Sequence, residues 1–278
     1  MTESLSELLQ ARFGGAAEVP SELEHNPVLR QLAAHTSHRR FTDAAVDEAT
    51  LDTLLACALS APAKSDLQQV AVFRVADRRK RDTIAGLIPS MPWIGTAPEF
   101  LIFAGDNRRI RRICEQNGKP FANDHLDSMF NAAVDGALVM MNFISAAQAA
   151  GLGCCPISAV RNHARAISDL MEMPAWVFPI AGMALGYPVF GSRITPRLSP
   201  MATIHVDRYD DDKLDSVVPE YDRRRDSLMP ISADRQRSPE AYGRSEFYGW
   251  SEDKVRQYST PHRTGFKQYL RARGFALD

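Results

Sequence analysis

Apolar residues between positions 46 and 60 (Leu51, Leu54, Leu55, Ala58, Leu59) recur at three- and four-residue spacing, which predicts an amphipathic helix stopped by Pro62. Beyond a turn-rich stretch at 61–66 the period changes. Residues 69–75 (QVAVFRV) and 99–104 (EFLIFA) are short runs rich in β-branched and aromatic residues and predict strands. They are joined by an Arg/Lys-rich segment at 77–82 and a loop containing Pro and Gly. From 127 to 150 the chain is apolar on nearly every face, with Met129, Phe130, Val134, Leu138, Val139, Met140, Met141, Phe143 and Ile144. That pattern predicts a long helix buried at the centre of the fold, ended by Gly151 at a C-cap position. Strands are expected at 152–157 and 179–185, with a helix at about 164–171 between them. The pattern is mixed α and β.

Asn131, Asp135, Asn142 and Gln148 interrupt the long apolar helix. They leave it short of the ~20 apolar residues a bilayer requires, so no membrane role is expected. Gly151 and Gly153 form a Gly-x-Gly, but the third glycine of a dinucleotide fingerprint is absent and a strand follows rather than a helix. After about residue 207 the composition turns to Asp, Arg, Ser and Pro, with DRRRD at 222–226 and DRQR at 234–237. This segment reads as an extension wrapping the core, although its charge alone also describes a solvated or partly disordered surface. A last amphipathic helix carries Phe266, Tyr269 and Leu270 and is capped by Gly274.

The 278 residues hold 33 Lys and Arg against 34 Asp and Glu, a net charge of -1. No global field would recruit nucleic acid or anionic lipid, so an anionic ligand must be met by a local cluster of cations. The first ten residues lack a basic stretch followed by an apolar run, which points to a cytoplasmic protein. Cys57, Cys114, Cys154 and Cys155 have no C-x-x-C spacing, and neither a disulfide framework nor a metal site is expected. The adjacent Cys154 and Cys155 sit in an apolar run and read as small buried hydrophobes, with a redox pair as the rival.

The densest polar cluster is His35-Thr36-Ser37-His38-Arg39-Arg40-Phe41, just before the first strong helix. Forked guanidinium groups and hydroxyls suit the oxygens of a phosphate, and a basic surface turn has the same composition. A second cationic turn, Thr195-Pro196-Arg197, follows the strand at 179–185, with Arg193 nearby. Alone it is an ordinary salt-bridge partner, and it gains meaning only if folding sets it beside the first cluster.

The order of five segments, HTSHRRF, SAPAKSDLQ, GLGCCPI followed by VRN, ALGYP and TPRL, resembles the nitroreductase family over about residues 30–200. The branch with a long C-terminal extension, which includes NADPH-dependent flavin reductases and oxygen-insensitive nitroreductases, is the most similar. The resemblance implies an α+β nitroreductase-like fold with a central, mostly antiparallel sheet flanked by helices, in an intertwined homodimer with FMN sites built from both subunits. It implies a helical arm at 1–30, an FMN-binding core at 31–206 and an extension at 207–278.

By position, the resemblance sets His35 and Ser37 toward the FMN phosphate and Arg39 at the N1/O2 edge of the ring, with Arg197 holding the phosphate. Pro62, Ala63, Lys64 and Ser65 would pack over the ring of the other subunit. Ile157, Ser158 and Ala159 would place backbone N–H groups near N5 and O4, and Asp127 would line the site. Five positions depart from close relatives: Thr36 stands for Arg, Thr195 for Lys, Lys64 for Ser, and Ser158-Ala159 for Gly-Gly. Two phosphate cations are thus replaced by threonine, with Lys64, Arg40 and Arg193 as possible substitutes.

The implied activity is transfer of electrons from NADPH or NADH through FMN to a small oxidised acceptor (nitroaromatic, quinone or free flavin) by a ping-pong cycle. Arg235, Arg237 and Arg244 are the candidates for a nucleotide 2′-phosphate. The alternatives are other reductive chemistry on the same fold, namely dehalogenation, ring reduction or flavin fragmentation, and a non-catalytic flavin-binding protein.

Overall fold

The structure is a computed structural model and describes residues 3–15, 18–189 and 193–278. In chain order the elements are α1 (Leu5–Phe13), α2 (Pro27–Ala33), α3 (Glu48–Leu59), β1 (Val70–Arg74), α4 (Arg78–Leu87), α5 (Trp93–Thr96), β2 (Glu99–Asp106) and α6 (Arg108–Gln116). There follow α7 (Leu126–Ala149), β3 (Gly153–Ile157), α8 (Ala164–Leu170), β4 (Val177–Gly186), α9 (Leu214–Leu228), α10 (Pro239–Tyr242), α11 (Trp250–Tyr258) and α12 (Phe266–Ala272). Two compact units are formed, one from residues 1–35 and 193–262, the other from 36–192 and 263–278.

The second unit is built on an antiparallel four-stranded sheet of order β1-β2-β4-β3. Every residue of β2 and β4, the two central strands, is buried, so they read as continuous apolar runs rather than alternating ones. One apolar cluster joins Leu51, Leu54 and Ala58 of α3 to Val139, Phe143 and Ile144 of α7 and Leu101 and Phe103 of β2. A second holds Ile84 of α4, Phe100, Ile102 and Ala104 of β2, and Ile157 and Ile167. Phe178 and Ile180 of β4 meet Tyr269, Leu270 and Phe275 at the chain's end in a third.

Two expectations are corrected here. The Arg/Lys-rich run at 77–82 is not a simple linker but opens α4, whose first turn is capped by Asp77 accepting N–H bonds from Arg79 (2.7 Å) and Lys80 (3.3 Å). Arg81 of that run points inward and donates to the carbonyls of Val75, Ala97 and Pro98. The long helix α7 is not buried all round. Leu126, Phe130, Val134, Leu138 and Met141 form an exposed stripe, Phe130 being 60% exposed, while Ala132, Gly136, Val139 and Phe143 face the sheet. An all-round apolar helix has no polar face to tell the sequence which side its own sheet will cover.

α7 is also long and apolar enough to cross a membrane by length and composition. Asp135, 1% exposed on its inner face, is instead committed to hydrogen bonds with the chain at 64 and 69.

In the first unit α1 opens with a capping box between Ser4 and Glu7 and packs Leu5 and Leu8 on Ala33 of α2, with Leu29 and Ile194 alongside. The charged segment after 207 is ordered into helices. In α9 Val217 and Tyr221, one turn apart, face inward, and Tyr221 meets Trp250 edge-on at 5.3 Å. Asp222, from the DRRRD run, is buried and accepts the Ser251 N–H at 2.9 Å in the first turn of α11.

Candidate functional site

Pro62, Ala63, Lys64 and Ser65 lie in a turn that the local sequence does not favour. Ser65, Asp66 and Gln68 all have left-handed backbone, at φ 50°, 56° and 51°, a conformation that non-glycine residues adopt at a cost. The turn persists because the Asp135 carboxylate clamps both its ends, accepting the Lys64 N–H at 2.9 Å and the Gln69 N–H at 3.0 Å. Gln69 in turn accepts from Asn107 Nδ2 (2.9 Å), and Arg111 donates to Asn107 Oδ1 (3.1 Å) while pairing with Asp124. A cavity of about 240 Å³ beside the turn is lined by Pro62, Ala63, Gln68, Arg109 and Asp135. The Lys64 ammonium lies on Ser65 Oγ at 2.9 Å.

The strip that begins at Thr36 runs along β3. His38 N–H donates to the Cys154 carbonyl at 2.8 Å, and the His38 ring lies so close to Gly153 that a Cβ there would come within 2.7 Å of it. That close approach explains the second glycine of the Gly-Leu-Gly sequence. Ser37 is half-buried, and the exposed Arg39 places its guanidinium 5.7 Å from the centre of the Trp93 ring. Cys155 lies within reach of Arg39; burial pushes its thiol up, partly offset by that guanidinium. Burial pushes Cys154 up to about 12, and both buried cysteines are thereby favoured as neutral thiols.

At the end of β3, Ile157 is buried and Ser158 exposed at the start of a short 3-10 turn, with Ala159 next. Arg263, near the C-terminus, holds this turn: Nε donates to Asn162 Oδ1 at 2.7 Å and Nη2 reaches the Ser158 carbonyl and hydroxyl at 3.3 Å. Beside it is a cavity of about 580 Å³ lined by Arg161, Arg165, Arg263, Asp169 and Tyr269 among others. Burial, and then the charge of Arg263, depress the Arg161 pKa. Neither Arg263 nor this cavity was legible in the sequence, where Arg263 follows a featureless STPH. Asp127 sits in the first turn of α7 and accepts from Asn131 at 2.7 Å.

In the first unit one buried side chain brings His35 and Arg197 together. Arg12, 6% exposed in the last turn of α1, donates to the carbonyls of Thr195 (2.7 Å), Ala33 (2.9 Å) and His35 (2.5 Å). Its own carbonyl accepts the Arg197 N–H at 2.8 Å. The Arg197 guanidinium is exposed, and among the described residues its one bond is a 3.3 Å contact to the Pro196 carbonyl. Arg193, a possible substitute cation, donates to the Leu228 carbonyl at 2.7 Å.

Arg235, Arg237 and Arg244 belong to a loop knotted around another buried arginine. Arg256, 3% exposed, donates to the carbonyls of Arg237 and Gly243 and to Ser245 Oγ, and lies over the rings of Tyr242 and Tyr248. Arg237 is paired with Asp253 at 2.9 Å, and Arg244 donates to the Ala233 carbonyl at 2.9 Å. Asp234 is held below the usual carboxylate range by Ser232 first, with Arg235 and Arg244 contributing their charge.

The family model described as "Nitroreductase family" matches residues 32–187, and that described as "Nitroreductase family, C-terminal domain" matches 195–278. Among named proteins, an FMN reductase (NAD(P)H) of Bacillus subtilis strain 168 is 31% identical over 256 residues, 91% of this chain and 99% of its own. An NADPH-flavin oxidoreductase of Vibrio harveyi is 26% identical over 251 residues, 90% of this chain and 99% of its own. The solved structure of B. megaterium NfrA2 superposes with a TM-score of 0.82 at 30% identity, covering 91% of this chain and 99% of that one. The NADPH:FMN oxidoreductase from Vibrio harveyi complexed with NAD+ gives 0.76 at 27% identity, covering 90% and 99%.

Proposed function

The chain belongs to the nitroreductase family, and from that membership we infer that it is an FMN-dependent NAD(P)H oxidoreductase acting on small oxidised acceptors. The observation that carries the reading is the tie that Arg12 makes in the first unit between His35 and the Arg197 turn; in the second unit the strip from Thr36 is anchored to β3 through the His38–Cys154 bond. The donor set fits a phosphate: the exposed Arg197 guanidinium has only a 3.3 Å contact to the Pro196 carbonyl among the described residues, and Nε and Nη1 of the neighbouring Arg224 are buried with no acceptor among them.

FMN held here would supply the redox chemistry, accepting electrons from the nicotinamide donor for delivery to the acceptor. The protein's part is to hold and tune it. Arg197, His35 and Ser37 hold the phosphate. Arg39, kept over Trp93, stabilises negative charge at the N1/O2 edge by a guanidinium already in place. Backbone N–H groups of Ile157, Ser158 and Ala159 would hydrogen-bond the N5 and O4 edge of the flavin, and the Arg263 clamp keeps that turn in shape. Pro62, Ala63, Lys64 and Ser65 cover the ring of the other subunit, and Asp127 lines the slot. The cationic cavity at Arg161, Arg165 and Arg263 suits the anionic part of a nicotinamide nucleotide, as do Arg235 and Arg244; Arg237 is the weakest candidate because Asp253 already neutralises it. We place the enzyme in the cytoplasm. Purified protein should carry flavin absorbance that NADPH or NADH bleaches anaerobically; stable colour inert to both nucleotides would leave a flavin-binding protein.

Homodimerisation is part of the proposal, and the exposed stripe on α7 supports it, because large apolar side chains in a row on a helix are uncommon on a free surface. Phe130→Asp combined with Leu138→Asp is expected to shift sedimentation from dimer to monomer and to release FMN. A monomer that keeps one FMN per chain would falsify the shared site.

Arg39→Gln is expected to leave FMN bound while lowering its midpoint potential, since the lost charge favours the reduced form more than the neutral oxidised ring. A shift of a few tens of millivolts is resolvable, ~59 mV being a factor of ten for one electron. Spectroelectrochemistry on FMN-loaded samples checks it, and a potential unchanged or raised removes Arg39 from N1.

A further inference from the structure

Arg12, Arg197 and Arg224 converge on the turn at 195–197. Arg224, in α9, donates through Nη2 to the Arg12 carbonyl at 2.6 Å, the same oxygen that accepts the Arg197 N–H. Room for Arg224 is made by Gly14, which has φ +91° and where a Cβ would fall 2.2 Å from Arg224 Nη1. Tyr221 closes the group from α9, donating to the Pro196 carbonyl at 3.0 Å. Among the described residues none of the three arginines forms an ion pair, and Arg12 spends its donors on backbone carbonyls alone. Tyr221 first and then Glu220, both on α9, partly offset the burial of Arg224.

Clustered, partly desolvated guanidinium groups repel one another unless an anion joins them. The pKa of Arg12 is depressed, by burial first and then by Arg197, and burial depresses that of Arg224 as well. A protein keeps such a cluster at a cost, and the cost is offset when a multiply charged oxyanion binds at its open end. The open end here is Arg197, the exposed member. Meanwhile positions 36 and 195, which flank the two segments that Arg12 joins, are both uncharged threonines.

We propose that Arg12 and Arg224 are the positioning and counter-charge residues of the phosphomonoester subsite, supplying from α1 and α9 the positive charge that Thr36 and Thr195 do not. Arg12 does this in two ways. Its three carbonyl bonds fix the spacing of His35 and the 195–197 turn, and its charge lies directly behind Arg197. Arg224 adds two buried donors, Nε and Nη1, that have no acceptor among the described residues. The proposal rests on the FMN reading above and names the group of FMN that the cluster recognises.

The test is the ratio of riboflavin to FMN dissociation constants, measured by flavin fluorescence on the full-length apo-protein, because the two ligands differ only in the phosphate. Wild-type protein should prefer FMN. Arg12→Gln should lower that preference about tenfold, with riboflavin binding within about twofold of wild type, the size of one charge-assisted contact. Arg12→Gln combined with Thr195→Lys should restore most of it, an outcome a purely structural role would not give. Should Arg12→Gln not fold by circular dichroism, Arg224→Gln is read on the same ratio and should lower it several-fold. A ratio unchanged in the folded variants overturns the proposal. Wild-type protein that binds neither ligand would instead overturn the FMN reading itself.

Discussion

Asp135→Ala is expected to lower folding stability by roughly 2–4 kcal/mol, because the two backbone N–H groups at Lys64 and Gln69 lose their acceptor inside the protein. Each orphaned donor costs about 1–3 kcal/mol where water cannot replace the lost partner. The turn should also relax, since Ser65, Asp66 and Gln68 are held left-handed by that clamp. Asp135→Asn keeps the shape and one acceptor oxygen and should fall between alanine and wild type. Urea denaturation of the three proteins without added flavin measures the effect, and a loss under ~0.5 kcal/mol for the alanine variant would show that the turn stands without Asp135. Because the turn is proposed to cover the flavin of the other subunit, Asp135→Ala should weaken FMN binding as well.

Arg197→Ala is expected to loosen FMN about thirtyfold, on the order of 2 kcal/mol, by removing the exposed cation of the phosphate group. Riboflavin affinity should hardly move. Among the described residues the Arg197 side chain makes one hydrogen bond, a long one, so the substitution should leave stability near wild type and the loss can be assigned to the ligand. Unchanged FMN affinity in a titration would place Arg197 outside the site.

Periodicity was a sufficient guide where a segment packs against its own chain. The helix at 48–59 and the buried strands at 99–106 and 177–186 follow directly from apolar spacing and β-rich composition. It failed where one residue type does two jobs. Arg81 looks like the rest of an exposed basic run, yet its guanidinium plugs three carbonyls, and only Asp77 before it and Ile84 after it hinted at α4. The charge of the DRRRD segment left a wrapping extension and a solvated surface both open, and only the structure shows that Asp222 accepts from the first turn of α11 and that Arg224 is bonded to the end of α1. Of the candidate site, the motif residues could be named from the order of segments. Asp135, Arg263 and Arg12 could not, since each acts through backbone groups at 64–69, 158 or 195, distant in sequence and carrying no side-chain signature.

The first unit is assembled from two stretches of chain separated by about 160 residues, 1–35 and 193–262. On a ribosome adding ~5–20 residues per second, that gap lasts on the order of 10–30 s. During it α1 and α2, of nine and seven residues, have only the local contact of Leu5 and Leu8 with Ala33 and Leu29, and helices so short are marginal alone. The capping box at Ser4 and Glu7 biases α1 toward helix in the interval, and the Arg12 bonds to Ala33 and His35 can form early. The bond to Thr195, spanning 183 residues, must wait. The end proposed to hold the phosphate therefore closes only once the 195–197 turn has been made, and the entropy of closing that long loop falls at that point.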